Sequence, residues 1–201
     1  MQQKLLLVQS CYDTLIRLGD LSRYRETELK ARERNWGPAK GYYELANALM
    51  PSSGTSHNQL AVMALADSDH LRAVYYLYRA VSIEKPFPTA QANLDLEFKK
   101  ILQRHAKHEP ISAGQGSDSV VALQDLFLVL HASYYRGKQL SSISNVEEDI
   151  LLQLADSLRE SHRTAFESVL RRMSLINIAA ESVAGAMSSG RAHQVFPVRA
   201  H

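Results

Sequence analysis

The stretch GYYELANALMPSSGTSHNQLAVMA, residues 41–64, and the stretch HLRAVYYLYRAVSIEKPFPTAQANL, residues 70–94, decide the fold of this chain. In both, apolar and small residues recur at helical spacing, and segments with Pro, Gly and Ser separate the runs. Strand signals are weak along the whole chain. The pattern therefore predicts an all-α protein with helices over Pro38–Met50, Thr55–Asp67, His70–Glu84 and Thr89–His105.

A small, large, small spacing occurs twice, each time followed by proline. The residues are Ala39, Tyr43 and Ala46 before Pro51, and Ala73, Leu77 and Ala80 before Lys85-Pro86. A Leu-small pair precedes each set, Leu18-Gly19 and Leu60-Ala61. Small residues at these positions let two antiparallel helices approach closely, as in tetratricopeptide (TPR) repeats. We therefore predict two TPR-like hairpins, the second capped by the helix over Thr89–His105.

Outside these repeats the chain is also helical. The first helix is predicted over Gln3–Leu29, and later helices over Ser119–Arg136, Val146–Met173 and Ser174–Met187. The domain prediction is a TPR-like unit over residues 1–107, a Gly- and Ser-rich loop over 108–118, a helical hairpin region over 119–187 and a tail over 188–201. Because two repeats make a thin solenoid, we expect either further helices upstream or burial against the second half of the chain.

Composition excludes several classes of protein. The 201 residues carry 23 Lys and Arg against 21 Asp and Glu, a formal net charge of +2, and a single cysteine, Cys11. Global charge therefore gives no case for a nucleic-acid or membrane binder, and one cysteine excludes an internal disulfide framework. No apolar run reaches the roughly 18 residues of a membrane span. We expect a soluble intracellular protein that does not bind membranes.

Motifs for catalysis or for a cofactor are absent from the sequence. It contains no GxSxG, GxxxxGK[ST], GxGxxG or HExxH, and His105 and His108 are expected on the surface rather than on a metal. We therefore predict no enzyme activity, no cofactor and no metal site.

Basic residues near the first hairpin are the first candidate site. Arg23 lies four residues after Gly19, on the same helix face, and the first helices of TPR units line the concave groove. An arginine there can bind a phosphate or carboxylate with its fork of donors, or it can belong to a solvated charged face. Further basic residues follow: Arg25, Lys30, Arg32, Arg34 and Lys40.

Polar and aromatic residues of the second hairpin are the next candidates. Asn58 either bonds the backbone of an extended peptide or caps its helix. Tyr75, Tyr76 and Tyr78 are expected to pack between helices, with base stacking as the weaker alternative.

Three blocks together resemble the ever-shorter-telomere/Smg family of telomerase-associated and nonsense-mediated mRNA decay factors. They are LGDLSRYRE at residues 18–26 and the two stretches quoted above, and the resemblance covers residues 11–102. LFLVLHASYYRGK, residues 126–138, is similar to the start of the family's C-terminal helical hairpin domain, with Glu147–Leu175 as its partner helix. The resemblance implies a 14-3-3-like α-α superhelix built from TPR hairpins.

The resemblance also implies a non-catalytic adaptor that binds phosphorylated segments, notably on the decay helicase. Arg23 stands at the position of the family's phosphate-contacting arginine, with Arg25 as supporting charge and Asn58 for the peptide backbone. The alternative it implies is binding of telomerase RNA or single-stranded telomeric DNA. The nucleic-acid candidates are Lys30, Arg32, Arg34 and Lys40, together with the segment Lys99–Lys107.

Both functions stay open on the sequence, and a third alternative is a structural scaffold whose groove has lost its ligand. The family's first helices, which carry a second phosphate-contacting basic residue, have no counterpart after Met1, and we expect a groove with one arginine to bind phosphate more weakly. We also expect a location in nucleus and cytoplasm and a hetero-oligomer with another family member.

Overall fold

Antiparallel helices follow one another along the chain. A computed structural model describes residues 2–28, 34–112, 118–137, 144–160 and 163–188. These ranges contain eight helices: α1 (Gln2–Glu28), α2 (Gly37–Leu49), α3 (Thr55–Ala66), α4 (His70–Ser82), α5 (Ala90–Ala106), α6 (Asp118–Tyr135), α7 (Ser144–Glu160) and α8 (Arg163–Ser188). The predicted all-α fold of TPR-like hairpins is confirmed.

Small residues let the hairpins close, as the spacing predicts. α1 packs on α2 and α3 on α4, α5 lies against α4 and α6, α7 packs on α6, and α8 lies across α4. Ala39, Ala46, Ala73 and Ala80 are fully buried at these contacts. The second half of the chain therefore covers the second hairpin, which is one of the two ways in which a thin pair of repeats can complete its core.

The connections before α3 and before α5 are fastened side by side. Gly54 donates its amide to the carbonyl of Lys85 at 2.9 Å, and Lys85 donates to Ser52 at 2.9 Å. A Cβ at Gly54 would lie 2.6 Å from the carbonyl oxygen of Ala80, so only glycine fits this close approach. The connections before α3 and before α5, which are far apart in sequence, are thus held against each other.

The predicted division of the last helices is wrong. The sequence predicts one helix over Val146–Met173 and another from Ser174, but α7 ends at Glu160 and α8 continues from Arg163 through that junction to Ser188. The reason is a continuous buried stripe on α8: Phe166, Val169, Met173, Ile176 and Val183. Ser174 lies within this helix, and its hydroxyl donates to the carbonyl of Leu170 at 2.9 Å.

The segment after α5 is anchored where the structure describes it. Ile111 is buried in the same core cluster as α4, α5, α6 and α8. Arg104 donates to the Ile111 carbonyl at 2.9 Å, and the amides of Ile111 and Ser112 donate to the Asp125 carboxylate, each at 3.1 Å. Residues 113–117 and the tail from residue 189 lie outside the described residues, so the domain limits stay a prediction. None of the helices in the described ranges combines the length and hydropathy that a bilayer crossing requires.

Candidate ligand-binding site

Arg23 lies at the tightest contact of the first hairpin. A Cβ at Gly19 would lie 2.4 Å from Cε1 of Tyr43, so the missing side chain lets the tyrosine ring of α2 press onto α1. The Tyr43 hydroxyl donates to Oδ1 of Asp20 at 2.8 Å and accepts from Nε of Arg23 at 3.4 Å. The same Asp20 oxygen lies 3.4 Å from Nη2 of Arg23. Gly19 thus brings a tyrosine, a carboxylate and a guanidinium together.

This arrangement holds the guanidinium charged and in place. The Arg23 side chain is only 11% exposed, and its guanidinium carbon lies 4.4 Å from the centre of the Tyr24 ring. Burial works against the charge, but hydrogen bonds with Tyr43, Tyr24 and Asp20 outweigh it and raise the pKa of Arg23 above its ordinary value. Burial, together with the Asp20 carboxylate, raises the pKa of the Tyr43 hydroxyl as well, so that this group stays protonated.

The bonds that hold Arg23 are long for a charged pair. A well-formed N–H to carboxylate bond measures about 2.7–2.9 Å, whereas the Arg23 contacts to Asp20 and Tyr43 measure 3.4 Å. An anion that reaches the guanidinium at normal distance can therefore compete with Asp20. Asp20 is the part of the site that the sequence reasoning missed, although its position three residues before Arg23 on a helix was the available signal.

Arg25 has a different environment, with a side chain that is 62% exposed. Its Nε and Nη2 donate to Oε1 of the buried Glu26 at 3.3 and 3.1 Å. Glu26 also accepts from the amide of Asn35 at 3.0 Å, and this bond, with the help of Arg25, lowers the pKa of the Glu26 carboxyl. Arg25 therefore accompanies a carboxylate that fastens the start of α2 to α1.

Asn58 is buried and has a partner in the next helix. The residue is only 4% exposed, and its side-chain Oδ1 accepts from Nδ2 of Asn93 on α5 at 2.9 Å. The amide thus joins α3 to α5, whereas Arg23 lies between α1 and α2. The structure does not bring these two candidates into contact with each other.

The four nucleic-acid candidates are divided by the structure. Lys30 and Arg32 lie outside the described residues. Arg34 donates to the carbonyl of Ala66 at 3.1 Å, at the last turn of α3, with its guanidinium 5.7 Å from the Trp36 ring. Lys40 is exposed and lies 3.6 Å from the Glu44 carboxylate one helical turn away. Arg34 closes a helix end, and Lys40 makes an ordinary surface pair of low energy.

A chain of polar side chains joins α4 to α5 and was not predicted. Nδ1 of His70 and Oε1 of Glu97 lie 2.5 Å apart, and Nε2 of His70 lies 3.3 Å from Nη1 of Arg104. The same three side chains line a cavity of about 370 Å³ beside the end of α3. Their separation in sequence hides this set from any motif search. Among the described residues no group of three potential metal ligands occurs.

Comparison with known proteins agrees with this helical architecture. Residues 39–197 match the family model described as the Est1 DNA/RNA binding domain, which covers well over half of the chain. The chain belongs to the Est1 DNA/RNA-binding domain family. The match begins after Arg23, Arg25, Lys30, Arg32 and Arg34, so that the Est1 family model covers Asn58 and Lys40 but none of these five arginine and lysine candidates.

Some relatives of this Est1-family chain are named as nonsense-mediated mRNA decay factors and another as a telomerase-binding protein. The chain is 48% identical over 91 residues to an Arabidopsis thaliana protein named nonsense-mediated mRNA decay factor SMG7-like, which covers 45% of this chain and 10% of the relative. It is 36% identical over 90 residues to the Danio rerio telomerase-binding protein EST1A, which covers 45% of this chain and 6% of that protein. The chain thus spans a tenth or less of these curated relatives.

A solved structure shares the fold. The structure of the C. elegans SMG5-SMG7 complex contains a chain that matches 91% of this protein and 46% of its own length, with a TM-score of 0.52. The sequence identity of 20% makes this a likeness of fold alone. It shows that the hairpin arrangement of the Est1-family chain also occurs in a chain of that complex.

Proposed function

We propose that this chain is a non-catalytic adaptor of nonsense-mediated mRNA decay type that binds phosphorylated protein segments at Arg23. The observation that carries the proposal is the Arg23, Asp20 and Tyr43 cluster, a permanently charged guanidinium held by bonds of 3.4 Å. The decay names of the relatives support the pathway. In this proposal the chain works in nucleus and cytoplasm, together with another member of its family.

Phosphate binding follows from competition with Asp20. A phosphate carries more charge than a carboxylate and offers three acceptor oxygens, so that it forms shorter and stronger bonds to the guanidinium. Tyr43 keeps its proton, donates it to Asp20 and accepts from Nε of Arg23, and in this way it orients the Arg23 side chain. An unphosphorylated serine offers no charge to displace Asp20, which gives the site its preference for the modified residue.

Fluorescence anisotropy tests this proposal with a phosphoserine peptide from the decay helicase and its unphosphorylated twin. We expect Arg23→Glu to weaken binding of the phosphopeptide at least about tenfold, because a charge-assisted bond contributes roughly 1.5–3 kcal/mol. Asp20→Asn should strengthen it, since the competing charge is removed. Arg17→Glu makes the same charge change at an exposed position of α1 and serves as control. Equal affinity for the two peptides would overturn the proposal.

A second candidate function is binding of single-stranded nucleic acid, such as telomerase RNA or single-stranded telomeric DNA. The observation that favours it is the match of residues 39–197 to a DNA/RNA-binding family model, together with a telomerase-binding relative. Such binding should weaken steeply with salt, because each neutralised phosphate of a single strand lowers the logarithmic affinity by about 0.7 per decade of salt concentration. An affinity that does not change with salt concentration would exclude this function.

A further inference from the structure

The outward face of α4 is made of arginines and tyrosines. From His70 to Val81 every residue of this helix is buried except four, which recur at intervals of three and four: Arg72, Tyr75, Tyr76 and Arg79. These intervals place all four on one side of the helix, which is the least buried side. We call this side, together with Arg172 of α8, the α4 face.

The side chains of the α4 face touch one another. The Tyr75 and Tyr76 rings lie 5.1 Å apart with 53° between their planes. Arg79 donates through Nη1 to the Tyr75 hydroxyl at 3.4 Å, and its Nη2 lies 3.5 Å from Nε2 of His57. Both tyrosines are half-buried, and their inner edges pack against the core. The face is thus a fixed surface of aromatic rings with an arginine beside them.

Arg172 joins this face through the packing of α8 on α4. Burial raises the pKa of the Tyr76 hydroxyl; the positive charges of Arg72 and Arg172 partly oppose that rise, and the Glu44 carboxylate adds to it. Arg72 is neutralised by Asp67 at 3.0 Å and Asp69 at 3.3 Å. Within the described part of the chain, neither Arg79 nor Arg172 has a carboxylate at ion-pair distance. Both therefore keep a positive charge that no described carboxylate pairs with, Arg79 beside Tyr75 and Arg172 on α8.

We propose that the α4 face binds single-stranded nucleic acid, with bases against Tyr75 and phosphates on Arg79 and Arg172. Proteins that hold single strands combine aromatic rings, on which bases stack, with cations along the backbone. A phosphopeptide needs the cations but not the rings, so the tyrosines favour nucleic acid. This inference rests on the second candidate function above and is independent of Arg23.

The family match supports this location. Tyr75, Tyr76, Arg79 and Arg172 all lie within residues 39–197, the range that matches the DNA/RNA-binding family model. Of the basic residues predicted from sequence, Arg34 lies outside that range and is engaged at the end of α3. The α4 face therefore has both the chemistry and the position that Arg34 lacks.

Binding of a fluorescent single-stranded RNA, and of DNA of the same sequence, to the full chain at several salt concentrations tests the proposal. We expect Tyr75→Leu, which keeps apolar volume, to weaken binding about tenfold with an unchanged salt slope, and Tyr75→Phe to bind nearly normally. Arg79→Gln and Arg172→Gln should each lower the slope by about 0.7. The control is Arg159→Gln, an equal charge change on α7, which packs against α6. Helical circular dichroism verifies that each variant folds.

Each other outcome has a distinct meaning. If the RNA and DNA bind and only Arg34→Gln or Lys40→Gln weakens their binding, nucleic acid binds at the α1–α2 side. The proposal for the α4 face is then refuted. If neither the RNA nor the DNA binds, both the proposal for the α4 face and the second candidate function are refuted. If Arg79→Gln instead abolishes binding of a phosphoserine peptide that Arg23→Glu leaves intact, the face is a phosphoprotein site. A preference for RNA over DNA would indicate contacts to the 2′-hydroxyl.

Discussion

His57 should make the stability of this protein depend on pH between about 4 and 6.5. Burial, assisted by the charge of Arg79, lowers the pKa of His57 from 6.5 to about 4, and the residue is only 5% exposed. The folded protein therefore resists protonation that the unfolded chain accepts at about pH 6.5. The contribution of neutral His57 to stability is therefore fully present above pH 6.5 and is lost as the pH falls toward 4.

The size of the effect follows from these two pKa values. Between pH 7 and pH 5 the unfolded state gains most of a proton at this site and the folded state gains almost none. The free energy of unfolding should fall by about 2 kcal/mol from His57 alone. Nε2 of His57 lies 3.5 Å from Nη2 of Arg79 and accepts from it when the ring is neutral, so protonation of His57 replaces this acceptor by a donor and puts a positive charge beside the guanidinium.

Urea denaturation followed by circular dichroism at pH 7, 6 and 5 measures this loss. The matched variant is His57→Gln, whose amide oxygen can accept from Arg79 and does not titrate. Burial also lowers the pKa of His131, so the wild type and the variant share that part of the pH dependence. The difference between their slopes isolates His57. If both proteins lose stability in parallel, the reasoning is wrong.

Two further predictions concern packing and the buried pair. Gly19→Ala should cost about 1–3 kcal/mol of unfolding free energy, because its Cβ would lie 2.4 Å from Tyr43, whereas Gly41→Ala, with open space around it in α2, should stabilise by roughly 1 kcal/mol. Equal effects in urea denaturation would show that α1 and α2 are not tightly packed. Glu97→Leu should cost about 1–3 kcal/mol because it leaves the buried Nδ1 of His70 without its hydrogen-bond partner, and a loss below about 1 kcal/mol in the same assay would contradict this pairing.

Local pattern determined the helices of the first half of this chain. The Ala39, Tyr43 and Ala46 spacing and its recurrence at Ala73 specify which helix faces meet, because residues three and four apart share a face whatever surrounds them. Breaks at proline and glycine then limit the helix ends. In the second half the same rules placed a helix end at Ser174, where the buried stripe of α8 keeps the helix continuous.

Contacts between distant residues were decided only by tertiary packing. The sequence singled out Arg23 but not that Tyr43 and Asp20 hold it, and it offered Asn58 as a ligand contact although Asn93 occupies its amide oxygen. α8 packs on α4 and so brings the positive charge of Arg172 to act on the Tyr76 hydroxyl, which no local spacing encodes. The physical reason is that periodicity fixes the face of a helix, whereas the partner of that face depends on how all the hairpins fill one shared core.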